Sequence, residues 1–233
     1  MATDSTLPRQ DPARNQVGRD VTGHLPDAAD VPGTAGFRAE DNAVWQRAVK
    51  FLDVRGNDAH TAYSYGLAAA LCDLHEEADR DVVLPAIILH DTGWSRVPAD
   101  EVLEAIRPGG GRPDLVLRHE KEGAAIAAEI LRDLGRDPAR IAEIVAIVDG
   151  HDSRRSALSL NDALVKDADK LWRLTPHGVD TVMGWFGLTR AQAHALIGSR
   201  VHDHLCTDAA RTMARGFAAL AAIDTAPQRI ALG

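Results

Sequence analysis

The sequence predicts an all-α protein. Only 4% of its 233 residues are aromatic, while Ala, Leu and Arg are abundant, and this composition favours helices over a β-sandwich. Apolar residues recur at helical spacing through most of the chain, and stretches rich in Gly and Pro separate the periodic segments. The length is sufficient for one domain with a full hydrophobic core plus an extension.

The N-terminal region differs from the rest of the chain. Residues 1–40 contain four scattered prolines and no apolar period, so we predict a disordered or loosely docked tail. The helical domain is predicted over residues 41–225. Its first helix is "NAVWQRAVKFL", for which Asp41 is a suitable N-cap.

The second helix is predicted to open at Asp58, with Tyr63, Leu67, Leu71 and Leu74 on its apolar face. The segment "VVLPAIILHD" that follows has the composition of a buried strand. Proline suits the first turn of a helix, however, and the neighbouring segments are helical. We therefore predict a short buried helix with its proline in the first turn.

The remaining segments continue the helical pattern. Helices are predicted for "ADEVLEAI", for residues 114–134 and 138–149, for "SLNDALVKDADKLWRL", and from Thr189 onward. The segment "GVDTVMGWFGL" places large apolar residues among glycines, and we expect it to line a substrate pocket or a dimer contact.

Charge and cysteine content restrict the function. A net charge of -8 argues against a nucleic-acid or membrane-surface binder, and two cysteines are too few for a cysteine-based metal site. The sequence shows neither a membrane span nor a secretory signal. We expect a cytoplasmic protein that acts on a small molecule and binds neither nucleic acid nor membrane; a homodimer remains open.

Histidine and aspartate residues recur where the predicted helices begin or end. They lie in "NDAHTAYSY" (His60), "ILHDTGW" (His90, Asp91), "LRHEKEGAAIA" (His119), "VDGHDSRRS" (His151) and "LVKDADKLW" (Asp167, Asp169). A lone histidine is more often structural, but a buried His-Asp pair is costly unless it is hydrogen-bonded or bound to a metal. Taken together, the imidazoles and carboxylates are ligands for Fe, Mn, Ni or Zn.

In this order the motifs resemble the HD-domain superfamily of metal-dependent phosphohydrolases, over about residues 41–180. The resemblance rests on "ILHDTG", "HEKEGA", "VDGHDS" and "ALVKDADKL", and it implies an HD-domain helical bundle. It implies that His60, His90, Asp91 and Asp167 are the primary metal ligands, since the family uses the first Asp of "DAD". On a helix, Asp169 would point about 200° away from Asp167.

The two other histidines, His119 and His151, match the extra ligands of the binuclear members, in which the Asp of the HD pair bridges two metals. The resemblance therefore implies two divalent transition metals, of Fe, Mn, Ni or Zn type. In the alternative, these two histidines do not bind a metal directly, and a single metal is present.

The implied reaction is hydrolysis of a small phosphate ester or nucleotide through a water activated by the metals. We expect Asp91, Lys121 and Arg154 to be catalytic. The candidate substrate contacts are Lys121, Arg154, Arg155 and Lys170. Each of these cations could instead be an ordinary solvated side chain.

One departure from the family pattern bears on which reaction the protein catalyses. Many phosphohydrolase members have a Lys where this chain has Trp94. The ligand order also resembles that of the HD-type mixed-valent diiron oxygenases, which act on small polar or phosphonate substrates, and this is the alternative function. A non-catalytic, metal-binding regulatory domain is the third hypothesis.

Overall fold

The computed structural model describes residues 18, 22–27, 30–31, 36–224 and 226–230, and within them every regular element is helical. The all-α prediction is therefore confirmed. The described residues fall into two units, one ending at Gly36 and one beginning at Phe37. In the first, Thr22–His24 form a 3₁₀ turn; most of the predicted tail lies outside the described residues.

The second unit consists of α-helices joined by connections, and residues from five of these helices are shown below to meet at one site. The helices are α1 (Ala39–Ala48), α2 (Asn57–Asp73), α3 (Arg80–Leu89), α4 (Val102–Ile106), α5 (Pro113–Asp133), α6 (Pro138–Val148), α7 (Leu160–Trp172), α8 (Pro176–Phe186), α9 (Arg190–Val201), α10 (Asp208–Asp224) and α11 (Pro227–Ile230).

The centre of the bundle is α3, which is surrounded by α1, α2, α5, α6 and α7. All residues from Val82 to Leu89 are buried, which confirms the predicted buried helix. Its start differs from the prediction: the Asp79 side chain accepts a hydrogen bond from the Asp81 amide and caps the helix. Pro85 therefore lies in the helix interior, where it cannot donate to the Asp81 carbonyl.

The orientation of α2 also differs from the prediction. Tyr63 and Leu74, which were expected in the core, are exposed, whereas His60 and Ser64 are buried. The helix therefore turns a partly polar face towards the interior, and the site described below explains why.

The predicted C-terminal helix is divided in two. After α9 the chain forms a 3₁₀ turn over His202–His204, and α10 begins only at Asp208. The buried Asp167 side chain accepts hydrogen bonds from the amides of Cys206 (2.6 Å) and Thr207 (2.9 Å). The Asp167 carboxylate thus holds the α9–α10 connection against α7 and stabilises the interruption between the two helices. In the described part of the chain, no helix is both long and apolar enough to cross a membrane.

Candidate metal centre

Four buried histidines and one buried aspartate meet in the interior of the bundle. His60 comes from the first turn of α2, His90 and Asp91 follow α3 directly, His119 lies in α5, and His151 lies just after α6. The chain therefore brings ligand-type side chains from four helices to one place, as the sequence predicted.

The local backbone orients two of these histidines. Nδ1 of His90 donates to the Ile87 carbonyl (2.8 Å), and Nδ1 of His151 donates to the Val148 carbonyl (2.9 Å). In the neutral imidazole, Nε2 is then the atom with the free lone pair. Each ring is thereby fixed with a metal-binding atom directed towards the interior of the site.

Asp91 lies between the four imidazoles. One of its oxygens, Oδ2, is 3.5 Å from Nε2 of His60; the other, Oδ1, is 3.5 Å from Nε2 of His151 and 3.8 Å from that of His119. Nε2 of His90 is 3.7 Å from Oδ1. Oδ2 therefore faces His60, whereas Oδ1 faces His90, His119 and His151, and a carboxylate whose two oxygens face different imidazoles suits a bridging ligand.

The structure corrects the prediction for Asp167. Oδ1 of Asp169 lies 3.4 Å from Nε2 of His60 and 3.8 Å from Nε2 of His90, whereas Asp167 binds the connection before α10 on another face of α7. The two aspartates do point in different directions, as expected for residues two apart on a helix. The one that faces the histidines is Asp169.

A further carboxylate was not predicted at the site. Oδ2 of Asp152 lies 3.8 Å from Nε2 of both His119 and His151. Three groups of side chains could hold a metal ion: His60–His90–Asp169, His90–Asp91–His151 and His119–His151–Asp152. The sequence feature that could have identified Asp152 was its position directly after His151, a predicted ligand.

The donor spacing fits bound metal. Nε2 of His60 is 2.9 Å from that of His90, and Nε2 of His119 is 3.4 Å from that of His151. Ligands about 2.1 Å from one ion lie roughly 3.0 to 3.4 Å from each other in octahedral or tetrahedral geometry. Imidazole and carboxylate donors at this spacing are suited to divalent transition metals.

Two further side chains, Trp94 and Arg55, hold Asp91 in place. The Trp94 indole Nε1 donates to Oδ1 of Asp91 (3.0 Å), and the Trp94 ring stacks on His119 with centroids 3.9 Å apart. The Arg55 guanidinium lies 3.4 Å from Oδ2 and 4.8 Å from the Trp94 ring. Trp94, found where a Lys was expected, therefore orients the bridging carboxylate and one imidazole.

In the metal-free protein, burial and neighbouring charges shift the pKa values of the histidines in opposite directions. Burial lowers the pKa of His60 to about 3, and His90 adds to the effect; burial and His151 lower the pKa of His119 to about 4. Burial also acts to lower the pKa of His151, but the Asp152 and Asp91 carboxylates outweigh it and raise this pKa to about 9. At neutral pH, His60 and His119 are therefore unprotonated, as metal ligands must be.

The acidic side chains remain ionised. Burial acts to raise the pKa of Asp91 and Asp169, but their neighbours outweigh it and lower both pKa values, chiefly His90 for Asp91 and the Arg173 guanidinium for Asp169. Both pKa values therefore lie well below the usual aspartate range. The result is a buried group of carboxylates available to bind cations.

Most of the predicted cationic contacts lie elsewhere. Lys121 is exposed and two positions beyond His119 on α5, so it points about 200° away from the centre. Arg154 donates to the Asp149 and Ala146 carbonyls and pairs with Asp162, which places it at the end of α6. Arg155 is exposed. The predicted roles of Lys121 and Arg154 at the centre are therefore wrong.

Lys170, a predicted substrate contact, lies beside the centre together with Arg173. Nζ of Lys170 is 3.7 Å from Asp169, and the Arg173 guanidinium is 3.5 Å from the same carboxylate. Both line a cavity of about 390 Å³ that Asp152 also borders. Once Asp169 is placed at the site, its i,i+4 spacing from Arg173 indicates that the two side chains pair. No sequence motif indicated that Arg55 lies at the site.

The comparisons with known proteins agree with this geometry. A family model described as HD domain matches residues 57–174, about half of the chain, from the start of α2 to just beyond α7. The match spans all the histidines and aspartates that converge at the centre. No curated protein and no solved structure matches the chain significantly. The chain belongs to the HD-domain family.

Proposed function

We propose that the protein is a phosphohydrolase that uses two divalent transition metals to cleave a small phosphate ester. The observation that carries the proposal is the position of Asp91, whose two oxygens lie 3.5 to 3.8 Å from Nε2 of all four histidines. A carboxylate shared in this way suits a pair of metals better than one.

The side chains divide into two sets around Asp91. His60, His90 and Asp169 would hold one metal, and His119, His151 and Asp152 the other. When bound, such a pair supplies an activated water at neutral pH and offsets the charge of the phosphoryl group. Trp94 keeps Asp91 oriented, and its ring with His119 closes one side of the centre to water.

The substrate phosphate would enter from the cavity. Lys170 and Arg173 lie on its wall within 4 Å of Asp169, so their cationic groups are available for phosphoryl oxygens near the metals. This cavity also favours an enzyme over the non-catalytic hypothesis, since a purely structural metal site needs no adjoining space for a ligand.

The test combines metal analysis with two assays. After expression with Mn and Fe, we expect one to two equivalents of transition metal per chain and Mn²⁺-dependent hydrolysis of phosphate esters. Asp91→Ala should lose both metal and at least 100-fold of the activity, because it removes the shared ligand. The exposed Asp100→Ala is the matched control and should retain both.

Oxygen uptake by the iron-loaded protein is measured beside the phosphatase assay, since a diiron oxygenase would use the same donors. Oxygen consumption without phosphate release would replace the proposal with the oxygenase alternative. Full metal content and activity in Asp91→Ala would exclude the assigned centre altogether.

A further inference from the structure

The cavity beside the centre has a cationic side and an apolar side. Lys170 and Arg173 lie at the C-terminal end of α7, and Arg200 lies on α9. Among the described residues that line the wall, the one acidic side chain is Asp152, which also belongs to the metal-binding set, so the part of the wall beyond the centre is cationic. An anionic group is the expected occupant of this side.

The fold brings the two cationic elements together. Cys206 and Thr207 follow α9 closely and donate their amides to Asp167 on α7. The end of α9 that carries Arg200 is therefore the end tied to α7, and Lys170 lies one turn beyond Asp167. Leu196 lies one helical turn before Arg200 on α9, towards the N-terminal end of that helix.

The apolar side is formed mainly by α8 and α9. Val182, Trp185 and Phe186 lie at i, i+3 and i+4 on α8, and Leu196 and Ile197 lie on the facing part of α9. These side chains offer carbon surface, with the Trp185 indole N–H as their single polar group. A ligand with many hydroxyls would give up hydrogen bonds with water without replacing them here.

We infer that the substrate is a phosphate monoester of an apolar alcohol, with the phosphate towards the metals, Lys170 and Arg173, and the hydrocarbon against α8 and α9. This rests on the proposed function and narrows it, since it disfavours nucleotides and sugar phosphates. Hydrolysis forms a P–O bond from water and breaks the ester P–O bond. The alcohol leaves with a proton supplied by that water, and inorganic phosphate remains.

The experiment measures kcat/KM of the Mn²⁺-loaded protein for the n-alkyl phosphates from ethyl to octyl. The leaving alcohols in this series have nearly equal acidity, so differences report binding rather than intrinsic reactivity. We expect kcat/KM to rise about fourfold for each methylene until the cavity is filled. Ribose 5-phosphate should be a poorer substrate than pentyl phosphate.

A variant pair locates the effect. Leu196→Asn places an amide on the apolar side and should flatten the chain-length dependence, so that kcat/KM falls much more for octyl phosphate than for ethyl phosphate. Leu220→Asn, at a leucine that is 70% exposed on α10, should leave the dependence intact.

Binding of ethyl- and octylphosphonate by calorimetry separates this inference from the proposed function. Hydrolysis with no chain-length effect overturns the inference and leaves the proposed function standing. Tighter binding of octylphosphonate without any hydrolysis supports the inferred ligand class and overturns hydrolysis. Equal binding of the two phosphonates overturns the inference in either case.

Discussion

Trp94 illustrates at the scale of one residue how this chain departs from the family pattern. A Lys at this position would add a positive charge beside metals that are themselves positive. The Trp94 indole instead donates a neutral hydrogen bond to Asp91 and stacks on His119, so it orients two groups without adding charge. Its side chain is fully buried, which keeps water away from that hydrogen bond.

Trp94→Phe tests this role because it keeps an aromatic ring beside His119 and removes the N–H, together with part of the indole ring system. We expect metal affinity to fall about 10-fold, as is usual when a group that orients a ligand is lost. The metal-free protein should lose about 1 kcal/mol of unfolding free energy. Metal titration and denaturant unfolding measure the two effects.

Trp45→Phe is the matched control, because Trp45 lies on α1 and packs edge-on against Phe37. Its metal affinity should equal that of the original protein. An unchanged affinity in Trp94→Phe would show that the indole N–H does not orient Asp91.

At the scale of one element, α7 carries two buried aspartates with different tasks. Asp169 faces His60 and His90, while Asp167 holds the connection before α10 through the Cys206 and Thr207 amides. Their separation by two residues places them on different faces of the helix. One face therefore serves the centre and the other secures the C-terminal helices.

The paired variants Asp167→Asn and Asp169→Asn separate these tasks. Asp167→Asn replaces an acceptor oxygen with an N–H₂ group opposite backbone donors, so we expect a loss of about 1 to 3 kcal/mol in unfolding free energy with metal content retained. Asp169→Asn should lose metal, and because it removes a carboxylate partner of Arg173 it should also lower the unfolding free energy of the metal-free protein. The opposite pattern of metal content would return the ligand role to Asp167.

These elements also show what the sequence could predict. Helical spacing predicted the buried α3, and the order of His and Asp residues predicted five of the residues that converge at the centre. The rotation of α2 and α7 about their axes is decided by packing against neighbouring helices. For that reason Tyr63 was wrongly expected in the core and Asp167 wrongly preferred to Asp169.

The positions of Lys and Arg side chains were harder to predict, because these long side chains can reach several partners. Arg154 follows His151 closely in sequence but folds back onto the end of α6, while Arg173, which carried no motif, points to Asp169. Sequence proximity to a ligand is therefore a weak guide for Lys and Arg, whose final partners depend on the whole bundle.

At the scale of the whole molecule, the centre joins helices that are distant in sequence, from His60 in α2 to Asp169 in α7. The bundle forms around a group of ionisable side chains that are costly to bury. Metal binding offsets that cost in the loaded protein. Without metal, the cost depends on protonation and therefore on pH.

The stability of the metal-free protein should pass through a maximum near pH 6.5. His60 and His119 have folded pKa values of about 3 and 4, below the unfolded value of 6.5, so their contribution is present above pH 6.5 and is lost as pH falls towards 4. Each contributes up to about 1.4 kcal/mol per pH unit to this slope. His151 has a folded pKa of about 9, so its contribution is present below pH 6.5 and is lost as pH rises towards 9.

Urea unfolding of chelated protein between pH 4 and 9 measures this profile. His60→Gln should reduce the slope on the acid side by about half, because one of the two protons taken up on unfolding is removed. His151→Gln should flatten the alkaline side and leave the acid side in place. A profile that is level across this range, or highest at pH 9, would contradict the burial of two neutral imidazoles beside one that carries a proton.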